Sequence, residues 1–188
     1  MRTLRHALLA GALWLGTIGR VSILDAQSTD SARAPVPLDG PDRVMRDTLL
    51  DHLAGHWRVT RHRQAQTVTT SADVDWVLNH QFVRVHYHDA TPSAQSYEAM
   101  VFIGYDNTSE RYVAHWLDIF GGRWSETLAY GTPVPHGIRF VFEYPDGPFV
   151  TTFTYNVAAG DWTTSMRQKN ARGEWVAFGE ERFQRGAP

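Results

Sequence analysis

From Trp57 to Phe183 apolar and polar residues alternate with a period of two, in β-branched and aromatic runs broken by turn residues about every ten positions. The pattern predicts strands over 57–62, 67–78, 82–89, 97–105, 111–119, 123–130, 137–144, 149–157, 162–169 and 175–183. The breaks carry turn chemistry: Asp106-Asn107-Thr108, Gly121-Gly122, Pro133-Val134-Pro135, Pro145-Asp146-Gly147-Pro148, Ala159-Gly160-Asp161 and Ala171-Arg172-Gly173. None is long enough for a crossover helix, so consecutive strands should pair antiparallel. The expected fold is all-β: an up-and-down meander of about ten strands closed into a barrel, which leaves no free edge. A two-sheet sandwich is the alternative. Upstream the period changes. Pro41 suits a first helical turn, and Val44, Thr48, Leu49 and Leu53 repeat at helical spacing, predicting one short helix over 41–53 that ends at Gly55.

The alternation sorts faces within each strand. Ile138, Phe140, Phe142 and Tyr144 share one side of their strand, and Phe149, Thr151, Phe153 and Tyr155 one side of the next. A barrel of this strand number encloses space, which these aromatics either line or plug.

Before residue 41 the chain reads differently. Arg2 and Arg5 precede the apolar run Ala7 to Ile18, too short to span a bilayer and followed by polar sequence. This is the charged and apolar pair of regions of a secretory signal, assigned to 1–26 with Ala26 at the cleavage site, and predicts a periplasmic or secreted chain with no stable membrane anchor. Residues 27–40, rich in Ser, Ala, Asp and Pro, read as a disordered linker, leaving 41–188 as a single domain. Eighteen basic and twenty acidic residues give a net charge of −2, which argues against nucleic acid as a partner. Without its signal the chain keeps fifteen basic and nineteen acidic groups, a charge of about −4. The chain has no cysteine, which excludes disulfides, thiolate metal sites and thiol nucleophiles.

The remaining chemistry is sparse. His86 and His88 point to one strand face with Phe82 and Arg84, a spacing that chelates a metal only with a third ligand such as His80, His115 or Glu98; Arg84 on that face opposes it, and no metal is expected. Tyr112, Trp116 and Asp118 share a face opposite Val113, His115 and Leu117, while Trp124, Glu126 and Tyr130 would share a face of the next run. Such a hairpin presents aromatic walls with carboxylates, so Asp118 and Glu126 could form an acid–base pair if both met one cavity. Nucleophile elbows, phosphate loops, zinc-protease helices and dinucleotide fingerprints are absent from the sequence. Asn107-Thr108-Ser109 fits a glycosylation sequon and is most simply a turn.

Gly55-His56-Trp57 at the first strand, with Arg182 or Arg185 at the end of the last, resembles the calycin superfamily of lipocalins and fatty-acid-binding barrels. The resemblance implies a Trp across the barrel floor beneath a basic group of the final strand. Phe102-Ile103-Gly104-Tyr105-Asp106-Asn107 followed by Tyr112-Val113-Ala114-His115-Trp116-Leu117-Asp118 resembles the bacterial domain-of-unknown-function 1579 family of calycin-like, often exported barrels, over about 49–183. Gly121-Gly122-Arg123-Trp124 is bulkier and more basic than the small-residue turn that family leads one to expect. Some related ten-stranded barrels hold haem through one histidine; His80, His86, His88 and His115 are the candidates, and none matches that group's ligand motif, so no cofactor is assigned.

Three functional readings follow. The first is a monomeric exported barrel binding a small, largely apolar or aromatic molecule through Trp116, Trp124, Phe140, Phe142 and Phe153, oriented by Arg84 or His115. The second is a packed barrel whose surface binds a protein or the cell envelope. The third is an enzyme using Asp118, Glu126 or His115.

Overall fold

The computed structural model describes residues 44–89 and 96–186; the signal and linker readings lie outside them. Its strands are β1 (Gly55–Arg63), β2 (Gln66–Val77), β3 (Phe82–His88), β4 (Ala99–Asp106), β5 (Arg111–Asp118), β6 (Leu128–Val134), β7 (Gly137–Tyr144), β8 (Gly147–Asn156), β9 (Asp161–Lys169) and β10 (Trp175–Arg185). Each pairs antiparallel with the next, and β1 closes on β10 with Trp57 opposite Arg185 and Val59 opposite Phe183. The result is a closed meander barrel rather than a sandwich. Period-two alternation separates a buried inner face, such as Val83, Val85 and Tyr87, from an outer one, such as Arg84, His86 and His88.

Two segments depart from the sequence expectation. Among the described residues before β1 only Thr48–Asp51 (α1) is helical, capped by Asp47, whose side chain accepts from the Leu50 amide at 3.0 Å. The residues just upstream are committed elsewhere: the Met45 amide donates to His80 O at 3.0 Å, and Met45 O accepts from His80 Nδ1 at 3.0 Å. A backbone bonded to the β2–β3 turn in this way does not continue a helical ladder. The second departure lies between β5 and β6, where a strand over 123–130 was expected. Gly122–Ser125 instead forms a helical turn, α2, and β6 starts at Leu128 and runs through Pro133.

One end of the barrel is closed by packing. Leu50, Leu53, Trp57, Val59, Ile138, Phe140, Phe153, Trp162 and Phe183 are buried together, and each aliphatic or phenyl side chain so buried contributes roughly 1.5–3 kcal/mol. The carbonyls left open beyond α1 are all engaged: Trp57 Nε1 donates to Leu53 O at 2.7 Å, Trp162 Nε1 to His52 O at 3.2 Å, and Arg185 Nη1 and Nη2 to Ala54 O and His52 O at 2.8 and 3.1 Å. Arg185, not Arg182, lies over the Trp57 ring, 4.1 Å from its centroid, while Arg182 is paired with Asp161. Gly55 makes this closure possible. Its φ is +133°, and a Cβ there would come within 2.2 Å of Arg185 Nη1.

Candidate functional site: the open end of the barrel

Packing does not extend to the other end. A cavity of about 880 Å³ opens there, within the size range of small-molecule sites. Its walls are aromatic, with Tyr97, Trp116, Phe120, Trp124, Phe142, Tyr144, Phe149 and Phe178 among the lining residues. Alternation delivers Trp116 and Asp118 from β5, Phe142 and Tyr144 from β7, and Phe149 and Thr151 from β8. Phe120 and Trp124 come from the β5–α2 segment at the rim; the Trp124 ring meets Tyr144 edge-on at 5.7 Å, and its carbonyl accepts from the Tyr144 hydroxyl at 3.1 Å.

A charged pair crosses the inner wall. Glu181, 2% exposed, accepts from Arg61 Nε at 2.6 Å and from Thr164 Oγ1 at 2.9 Å, with the Tyr87 hydroxyl at 3.3 Å. The Arg61 guanidinium also lies 4.3 Å from the Tyr97 ring centroid. Burial works most strongly against the Arg61 charge, but Glu181 together with Tyr97 and Tyr87 outweighs it and Arg61 stays protonated. Burial foremost, with Glu181 adding to it, keeps the Tyr87 phenol neutral.

Asp118 is the second polar feature. Trp116 Nε1 donates to the Tyr97 hydroxyl at 3.1 Å, and the Phe120 amide donates to Asp118 Oδ1 at 3.0 Å. Burial raises the Asp118 pKa above the usual carboxylate value, against the lowering effect of the Phe120 amide, Tyr97 and Arg61. Burial, with Asp118 adding, pushes the Tyr144 phenol up to about 12. Two further polar atoms of cavity-lining residues, Thr70 Oγ1 and Asp89 Oδ1, are buried without a hydrogen-bond partner among the described residues.

Of the residues expected to bind ligand, Trp116, Trp124 and Phe142 line this space. Phe140 and Phe153 share the inner face but pack edge to face at 6.1 Å in the closed end. Arg84 and His115 are corrected: both are on the outer face, because the inner positions of their strands belong to Val83, Val85 and Tyr87, and to Ala114, Trp116 and Asp118. Arg84 chelates Asp75 with two bonds of 3.0 and 2.9 Å, and His115 Nε2 contacts Ser125 O at 2.6 Å beneath α2. Glu126 is exposed and apart from the cavity lining, so Asp118 and Glu126 do not form the acid–base pair considered above. His86 faces Glu98 and His88 faces Asp73 on the outside, and no group of three or more ligating side chains among the described residues is placed to hold a metal ion.

Tyr144 and Phe149, sorted by alternation onto the aromatic side of their strands, also line the cavity, whereas Arg61, Tyr97, Glu181 and Phe178 were missed. Two had a signal: Arg61 shares the face of Trp57 and Val59, and Glu181 that of Phe183, each a charge on an apolar stripe.

The hairpin of β4 and β5 carries the remaining marker. Asp106 Oδ1 accepts from the Thr108 amide at 2.9 Å and closes the turn, while Phe82 covers Gly104 so closely that a Cβ there would come 2.6 Å from the ring. The family model described as "Protein of unknown function (DUF1579)" matches residues 45–185, from the residue bonded to the β2–β3 turn to the arginine over Trp57. The chain belongs to the DUF1579 family. No curated protein matches it significantly. In this DUF1579 barrel, Gly104 and Asp106 act on the structure of a hairpin and not on the cavity.

Proposed function

We propose that this DUF1579 chain is an exported barrel that binds a small, largely apolar or aromatic molecule in its open end. The observation that carries this is the contrast within one barrel: a sealed end and a hollow, aromatic-walled end of about 880 Å³. A filled interior, which a purely surface-binding role leads one to expect, is not what the chain builds. Asp118 is the one acidic residue of the proposed acid–base pair in the cavity, which favours binding over catalysis. Among the described residues no helix is long and apolar enough to cross a membrane.

The test is a titration of the purified chain with an uncharged environment-sensitive dye, 6-propionyl-2-(dimethylamino)naphthalene. The reading expects saturable one-to-one binding, weakened about tenfold by Trp124→Ala at little cost in stability. Equal losses of affinity and stability would make Trp124 plain core, and absence of saturable binding would sink the reading.

Exposed apolar side chains beside the mouth favour a second reading. Leu117, Ile119, Phe120, Leu128 and Tyr130 lie on β5, β6 and the segment between them, where a partner surface could dock. Under that reading Leu128→Ser, outside the cavity, would abolish association while leaving dye binding intact.

A further inference from the structure

The lining of the cavity is electrically divided, and the division names a ligand class. Pairing removes two of its charges. Arg61 is matched by Glu181 at 2.5 Å, and Asp146 at the rim by Arg123 at 2.9 Å. Arg63 and Lys169 belong to β1 and β9 and lie over aromatic rings, Arg63 at 4.3 Å from Phe178 and Lys169 at 5.5 Å from Trp175. In the strand order of the barrel β5 is on the far side from both. That far side holds Asp118, which has no cationic partner within salt-bridge reach among the described residues; its carboxylate accepts from the Phe120 amide at 3.0 Å.

The groups around Asp118 are aromatic. Phe120 follows it by two residues with its ring 6.2 Å from that of Tyr97, and Trp116, two residues before it on the same face of β5, donates to the Tyr97 hydroxyl. Tyr144 is close enough to feel its charge and packs against Trp124. Phe120 and Trp124 are 63% and 39% exposed, so their rings reach the cavity without being committed to core packing. A carboxylate facing a half-dry space among ring faces offers a cation two attractions at once, the ion pair and the ring quadrupoles. A second cavity carboxyl, Asp89 just past the end of β3, two strands away, has an oxygen without a partner among the described residues.

The geometry points to an organic cation as the ligand: an aromatic or aliphatic body in the barrel, with a quaternary ammonium or protonated amine held against Asp118 between Tyr97, Phe120, Trp124 and Tyr144. This rests on the cavity being a binding site and adds what it selects. An anionic ligand would find its most buried cation, Arg61, already occupied by Glu181.

The test compares benzyltrimethylammonium with its uncharged carbon isostere, neopentylbenzene, by competition with the neutral naphthalene dye on the purified chain. The expected result is at least tenfold tighter binding of the cation. Asp118→Asn should erase that preference, read as the ratio of the two probes' affinities, and Phe120→Leu, at an exposed rim position, should reduce the ratio several-fold without altering the fold. Equal binding of the two probes, tighter binding of the isostere, or a preference that survives Asp118→Asn would overturn the inference while the dye still reports a binding cavity. Loss of dye binding itself would instead remove the cavity reading, and this inference with it.

Discussion

The two ends of the barrel are built from the same strands and nearly the same residue types, yet they do different work. At the closed end Trp57 and Trp162 are fully buried and spend their indole N–H groups on the carbonyls around α1. At the open end Trp116 spends its N–H on Tyr97, and Trp124 stands on the rim, 39% exposed. An aromatic ring with every neighbour in place is core; one with a face turned to empty space is a wall. The seam between the ends is the Arg61–Glu181 pair, which carries the inner face from apolar packing to a wetter, polar lining.

The largest effect expected from this contrast is at the closed end. Trp162→Ala should cost about 3–5 kcal/mol in denaturant unfolding, because it removes a fully buried ring and leaves a cavity. At the seam, Glu181→Leu alone should cost a comparable about 3–5 kcal/mol by stranding the Arg61 charge, and adding Arg61→Met should restore most of it. Should the double variant stay as unstable as the single one, the pair is not the source of the loss. At the rim, Trp124→Ala should cost about 1 kcal/mol or less while weakening dye binding, the reverse of Trp162→Ala.

Asp118 gives a smaller effect with a defined sign. Its pKa is raised in the fold, so the charged form is a burden on the native state at neutral pH that is relieved as pH falls through the raised value. Asp118→Asn should therefore stabilise the chain at neutral pH, by less than about 1 kcal/mol given the partial exposure of the group, and the gain should vanish in acid. Thermal unfolding across that range measures it; a gain that grows in acid would contradict the assignment. Outer-surface Asp73 has the opposite sign. Hydrogen bonds from His56 and then His88, against slight burial, lower its pKa, so its contribution is present above the usual carboxylate value and lost as pH falls through the lowered one. Asp73→Ala should change neutral-pH stability by no more than about 0.5 kcal/mol, with no effect on binding.

The contrast between the ends also explains what could be read in the chain beforehand. The strands were legible because alternation and turn residues are local signals, and β7 and β8 show them cleanly in Ile138-Arg139-Phe140-Val141-Phe142 and Phe149-Val150-Thr151-Thr152-Phe153. Closure of a last-strand arginine over Trp57 was legible through Gly55-His56-Trp57, with Arg182 and Arg185 both open; the structure chooses Arg185. The division of the aromatics was not, because Phe140 and Phe142 differ only in how far along one strand they stand, and depth in a barrel is fixed by register with distant neighbours. Arg84 and His115 were drawn toward the site by their chemistry, although Val83, Val85 and Tyr87 already marked the apolar face of β3. Tyr97 stands in phase with Ala99, Val101 and Ile103 but beyond the end of β4, so alternation gave its face and not its place at the cavity, and α2 is a single turn with no periodicity to announce it.

The most direct measurement of the central claim is the set of tryptophan indole N–H resonances followed by nuclear magnetic resonance as the neutral naphthalene dye is titrated into the purified chain. The account predicts saturable shifts at Trp116 and Trp124, with Trp57 and Trp162 unmoved. Equal movement of all four, or none at the open end while the protein stays folded, would contradict it.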